Sequence, residues 1–93
     1  MVMEVRGCKI EPGADLAYAN LAYVTLAYVN LSGADLTEAN LTRANLTRTD
    51  LTRASLTQTD LTEANLTGAK VSDANLRPAN LTGATMPDGS IHD

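Results

Sequence analysis

A large apolar residue recurs every five positions from Leu16 to the end of the chain. Leu holds the place at Leu16, Leu21, Leu26, Leu31, Leu36, Leu41, Leu46, Leu51, Leu56, Leu61 and Leu66; Val71, Leu76, Leu81, Met86 and Ile91 continue the series. Period five fits neither common element. On a helix, five residues advance about 500°, so the Leu residues would spiral round every side. On a flat strand, an odd period throws successive Leu residues onto opposite faces. Either arrangement leaves half of them in water. The pattern is satisfied if the chain turns a corner every five residues and keeps Leu inside each time. A chain that turns steadily one way is a coil, and stacked coils make a solenoid.

The rest of the repeat agrees. Two residues before each large one stands a small one, mostly Ala, with Val24, Val29, Thr49, Thr59 and Gly89 as variants. Leu fills most of a narrow interior, and a second large residue there would overpack it at a cost of about 1–3 kcal/mol. The position between is mostly Asn or Asp, and Thr follows the Leu in many repeats. Such side chains bond to nearby backbone, which suits corners better than helices. Only the fifth position varies freely, holding Tyr, Gly, Glu, Arg, Gln, Asp or Pro. This recipe explains the composition: Ala, Leu, Thr and Asn supply 46 of 93 residues, and aromatics only 3%. Each buried Leu contributes roughly 1.5–3 kcal/mol, so no aromatic core is required.

Residues 1–13 are expected to form an N-terminal cap of two degenerate repeats, with residues 14–93 making the solenoid. Val5 and Ile10 would be the large inward residues of the cap. Met3 and Cys8 would take the other inward place, with Met3 opening out the end coil. Gly13 would be a one-residue insertion of the kind found at bulges.

Several function classes lose support. Net charge is −4, against a general electrostatic grip on nucleic acid or on anionic membranes. There is no Gly-rich phosphate loop, nucleophile elbow, or Cys or His cluster, so no enzyme, cofactor or metal is expected. Cys8 reads as a small apolar filler and His92 as a solvated residue. Asp15, Asp35, Asp50 and Asp60 read as corner hydrogen-bonders, since Asn replaces them along the chain. The filled interior leaves no room for a ligand cavity. No signal sequence and no transmembrane run is present, so a cytoplasmic protein is the expectation.

Tandem A-(D/N)-L-x-x, as in Ala39-Asn40-Leu41-Thr42-Arg43 and Ala44-Asn45-Leu46-Thr47-Arg48, resembles the pentapeptide repeat family. The tail from Met86 to Asp93 is similar to that of small cyanobacterial members. The resemblance implies an all-β fold, a right-handed quadrilateral β-helix with four pentapeptides per coil. Periodicity alone gives a corner per repeat, not the number of sides. With coils of twenty residues, Arg43 falls beside Glu63, Arg53 beside Asp73, Tyr23 and Tyr28 beside Arg43 and Arg48, and Lys70 beside Asp50. Residues 14–93 would then make about four coils, a rod of ~19 Å at the strand spacing. Its second end holds Pro87, Gly89, Asp88 and Asp93. Pro78 and Pro87 remove donors there, which limits further growth.

Function then falls to the outward positions. Tyr18, Tyr23 and Tyr28 lie on successive sides of the first coil, either as a docking band for a partner or as a shield for that end. Arg43, Arg48 and Arg53 ring the middle as a solvated, locally neutralised belt rather than an anion site. The leading expectation is a non-catalytic structural or protein-interaction solenoid, with protein partners and end-to-end self-association open. The alternative, implied by the family, is a DNA mimic acting on DNA gyrase or another DNA-binding protein. DNA carries one charge per ~1.7 Å, so a ~19 Å mimic would need roughly eleven net negatives.

Overall fold

The computed structural model describes residues 3–93; the first two residues of the expected 1–13 cap lie outside the described residues. From Asp15 to Thr85 the backbone contacts obey one rule, a parallel bridge between residues twenty apart, from Asp15 with Asp35 through to Asn65 with Thr85. Five residues per corner and twenty per coil give four sides. The chain is therefore a four-sided β-helix whose strands are single bridges joined by turns.

Each repeat bonds the same way. The Leu21 N–H donates to Asn40 O at 2.8 Å, one coil ahead, and the Asn40 N–H donates to Ala19 O at 2.9 Å. At the corner, the Ala39 N–H donates to Leu36 O at 2.9 Å, and Glu38 between them has φ of 57°. A 1→4 bond closed over a left-handed third residue is a type II turn. The inward-facing expectation holds: Leu16 is 2% exposed and every series Leu from Leu21 to Leu66 is 0% exposed. The small position is buried along the middle of the rod. Where Thr replaces Ala there, its hydroxyl is satisfied by the coil below: Thr49 donates to Leu26 O at 2.8 Å and Thr59 to Leu36 O at 2.7 Å.

The N-terminal segment differs from the expected two repeats. Strand β1 (Met3–Val5) pairs antiparallel with β2 (Cys8–Ile10) in a hairpin that sits across the first coil. Ile10 does point inward, at 4% exposure, and Val5 and Cys8 pack half-buried against the same core. Met3 is exposed, not an inward residue. Gly13 is no insertion. Its N–H donates to Ser32 O at 2.8 Å, the bond that Tyr18 makes to Thr37 O at 2.9 Å. Glu11, Pro12 and Gly13 thus run in register with the coils, while Ile10 supplies the plug that Glu11 cannot. Arg6 ties the hairpin down, donating through Nη1 to Asn20 O at 3.2 Å and Asn20 Oδ1 at 3.4 Å.

The last repeat also departs from the series. Ser90 does not bridge to Lys70; the chain reverses and Ile91 pairs antiparallel with Thr85. Gly89 takes the positive φ, 89°, in place of Asp88, and its N–H closes the turn on Met86 O at 2.8 Å. Shifting the left-handed residue by one position sends the chain back instead of onward. Ile91 is consequently exposed, and the regular coils stop short of residue 93. The hairpin and this reversed tail lie beyond the coils, and the longest dimension is 35 Å, against cross-sections of 23 and 21 Å. The ~19 Å expected for the rod counted coils alone.

Candidate functional site: the outer belts of the solenoid

The variable fifth position is the left-handed corner. Tyr18, Tyr23 and Tyr28 have φ of 65°, 66° and 66°; Arg43, Arg48 and Arg53 have 57°, 55° and 62°. Non-glycine residues adopt this conformation at a cost, and β-branched ones most of all. The sequence did carry that signal: no Val, Ile or Thr stands at a fifth position from Tyr18 to Asp93. The corner also points these side chains outward.

The tyrosine belt stands in water. Tyr18, Tyr23 and Tyr28 are 71%, 67% and 74% exposed, on three successive sides of the first coil. Directly above, the Arg43 guanidinium lies over the Tyr23 ring, 5.9 Å from its centroid. It turns its Nε to Glu63 Oε1 at 3.1 Å. A Tyr23–Arg43–Glu63 column thus climbs one side. A pair this exposed contributes at most about 1 kcal/mol.

The other arginines behave differently. Arg48 leans over Gly68, where an added Cβ would stand 3.0 Å from the Arg48 Cγ. Gly68 therefore leaves room for its stem. Among the described residues Arg43–Glu63 is the one ion pair within 4.0 Å, so the expected Arg53–Asp73 pair is not formed. Lys70 does stand beside Asp50, the two joined by a parallel bridge. Arg53 borders an open depression of about 400 Å³ on the outer surface, lined by Ser32, Gly33, Asp50, Thr52 and Arg53. It lies outside the Leu-filled interior, where a ligand cavity was not expected.

The corner carboxylates do what their spacing implied. Asp35 Oδ1 accepts from the Thr37 N–H at 3.0 Å and the Thr37 hydroxyl at 2.6 Å. Asp50 accepts both from Thr52, and Asp60 both from Thr62. The hydroxyl first, and the N–H second, hold these carboxyls below their ordinary value of 3.8. Ser90 does the same for Asp88. The first coil carries Ala17 and Ala22 in place of Thr, and there the N–H bonds to Asp15 and Asn20 stretch to 3.3 Å. Cys8 is half-buried, its thiol 3.9 Å from Arg6 O. His92 has Nδ1 2.8 Å from Asp93 O, and its backbone closes the tail on Gly83 and Ala84. Among the described residues no three His, Cys, Asp or Glu side chains gather where a metal could be held.

The family model for pentapeptide repeats (8 copies) matches twice, over residues 14–53 and 44–83. The chain belongs to the pentapeptide repeat family. Its fold is accordingly the right-handed quadrilateral β-helix, in a family of generally non-enzymatic structural repeat proteins. A pentapeptide repeat protein from Nostoc PCC 7120 is 51% identical, with a TM-score of 0.79 over 80% of this chain and 61% of that one. One from Cyanothece 51142 is 34% identical, with a TM-score of 0.80 over 87% and 55%. HetL, a pentapeptide repeat protein involved in heterocyst differentiation regulation in Nostoc PCC 7120, is 44% identical, with a TM-score of 0.56 over 86% and 39%. The chain thus spans less than two thirds of these solved relatives. No curated protein matches it. Among the described residues no helix is long and apolar enough to cross a membrane.

Proposed function

We propose that this pentapeptide repeat protein is a non-catalytic interaction solenoid and that Tyr18, Tyr23 and Tyr28 form its principal docking belt. One observation carries the reading. All three aromatic residues of the chain stand exposed on one coil, each in a strained corner conformation, where smaller residues serve elsewhere. The core has no use for them, since Leu fills the interior beneath. Tyr is among the residues that anchor protein interfaces, giving large contact area at little entropic cost. Arg43, stacked on Tyr23 and shared with Glu63, extends the belt on one side, and Arg48 and Arg53 flank it. A regulatory role such as that of HetL would be exerted through this kind of contact, without chemistry.

The partner is a protein. Net charge of −4 gives no grip on nucleic acid. The DNA-mimic alternative weakens further with the observed length, because a 35 Å rod would need about twenty net negatives to imitate DNA. The Arg belt lies in the middle of it.

The test is a triple Tyr18→Asn, Tyr23→Asn, Tyr28→Asn variant, since Asn tolerates the left-handed region. Crosslinked capture from the native cell should lose its wild-type partners, and binding to a purified partner should fall at least about tenfold. Circular dichroism should be unchanged. An identical partner set with the variant would reduce the belt to a shield for the first coil.

A further inference from the structure

The three arginines of the belt are not neutralised alike. Arg43 is occupied, stacked on Tyr23 and paired with Glu63. Among the described residues Arg48 and Arg53 have no carboxylate within 4.0 Å. Arg48 is nevertheless placed, because its stem lies against Gly68, where a Cβ would crowd its Cγ at 3.0 Å. Arg53 stands at the rim of the depression of about 400 Å³. Gly33, one coil below Arg53, leaves its corner empty; a Cβ there would meet nothing within 4 Å. The corner of Tyr28 and Arg48 and the corner of Gly33 and Arg53 bound one side of the rod, with the depression on it.

The charges of the coils are sorted across the section. Asp15, Asp35, Glu38 and Asp60 stand around the corner of Tyr18 and Glu38. The diagonally opposite corner carries Arg48, with Arg43 and Arg53 at the corners next to it. Lys70 stands on the side between Arg48 and Arg53, bridged to Asp50. A chain of net charge −4 therefore has one side whose bases, Arg48, Arg53 and Lys70, outnumber its acids, Asp50 and Asp73. Both Thr52 bonds to Asp50 fall on Oδ1, so Oδ2 remains to accept from a further donor.

We propose that this side binds an acidic, extended segment of the partner protein. The inference rests on the reading of the chain as an interaction solenoid and names the chemistry that docks. Two carboxylates of the segment pair with Arg48 and Arg53, an apolar neighbour lies on Tyr28 one coil below Arg48, and a backbone N–H of the segment donates to Asp50 Oδ2. Charge complementarity selects this occupant, and the dimensions agree with it. Opposite sides of the rod face one another as stacked sheets do, about 10 Å apart, so each side is about as wide. Carboxylates on alternate residues of an extended segment stand about 7 Å apart on one face, a gap that two long arginine side chains close. A carboxylate at each corner avoids Asp50 in the middle. The continuous phosphates of a nucleic acid do not avoid it.

An NMR titration of the whole chain with a capped peptide, Leu-Ser-Glu-Ser-Glu-Ser, tests this. The amides of Ser32, Gly33, Thr52 and Arg53 should shift, and those of Asn40, Thr42, Asp60 and Thr62 on the opposite side should not. Replacing both Glu of the peptide by Gln should weaken binding at least about tenfold. Arg48→Gln and Arg53→Gln should each weaken it about threefold to fivefold, and the double variant at least about tenfold. Gln58 already holds the same corner conformation, with φ of 57°, so the fold accommodates these changes. Arg77→Gln, the same loss of charge elsewhere, should leave binding within about twofold. No shifts up to millimolar peptide, equal binding of the Gln peptide, shifts centred on the opposite side, or a double variant that binds like the wild type would overturn the proposal. The two readings fail separately: the tyrosine belt fails if its Asn variant keeps the native partners, and the acidic segment fails if the arginine variant keeps the peptide.

Discussion

The first coil and the last coil are built from the same repeat, yet the large apolar layer is fully buried at one and half-buried at the other. At the first, Val24 and Val29 replace Ala at two inward positions, widening the floor under a hairpin that follows no period. Ile10 drops into the core there, and Arg6 hooks the hairpin to Asn20. At the last, the repeat continues almost unchanged and is then turned aside by Pro87, Asp88 and Gly89. A translational repeat cannot terminate itself, because every coil offers the same unpaired edge to the next. Closing an end takes residues that break the pattern, and this chain spends them mainly on one end.

The sharpest way to break this contrast is to truncate one isoleucine at each end. Ile10 is 4% exposed and Ile91 is 64% exposed. Ile10→Ala should cost about 2–5 kcal/mol by opening the plug, and Ile91→Ala within about 0.5 kcal/mol. Denaturant unfolding of the monomer measures both. Equal costs would mean that the reversed tail seals its end as firmly as the hairpin does.

Two glycines refine it. Gly13 has φ of 72° and Gly89 has φ of 89°, and an added Cβ at either meets nothing within 4 Å. Gly→Ala at each therefore costs mainly backbone strain, about 1–2 kcal/mol. Gly13 joins the cap to the rod, so Gly13→Ala should lower the Tm of the whole chain. Gly89→Ala should melt the tail locally, seen as lost amide protection at His92 with the global Tm nearly unchanged. A matching fall in Tm for the two variants would join the tail to the cooperative unit.

The smallest effect per residue is electrostatic. Asp35, Asp50, Asp60 and Asp88 are held below 3.8 by hydroxyl and N–H donors. Their charged forms are favoured by folding, so this stability is present above pH 3.8 and is lost as pH falls through the lowered folded values. The hairpin contains no carboxylate–hydroxyl pair of this kind. Amide exchange at about pH 3 against pH 7 should therefore show protection lost around those four corners, with β1 and β2 changing least. A hairpin that loosens first in acid would contradict this account.

Much of the middle was readable from the residues alone. Leu every fifth position with Ala two before it places both inside, and the buried series from Leu16 to Leu66 confirms it. The Arg43–Glu63 pair and the placing of Lys70 beside Asp50 followed from twenty-residue coils. A signal repeated many times is robust against any one exception. The ends occur once each. The hairpin was hidden because Val5 and Ile10 are spaced by five, which mimics the repeat. Arg53–Asp73 was expected by the same spacing but does not form, because register brings two residues to one side without fixing exposed rotamers.

By itself the sequence determined which residues face inward, because burial of Leu in a narrow interior tolerates one register only. It also determined the outward list that any partner can meet. The tertiary structure decided how the rod ends. At Met86–Ile91 the outcome rests on whether Asp88 or Gly89 takes the left-handed turn, a single torsion that hydrophobic period does not encode. That torsion sends the tail back over one side, and so leaves three sides of the last coil unpaired.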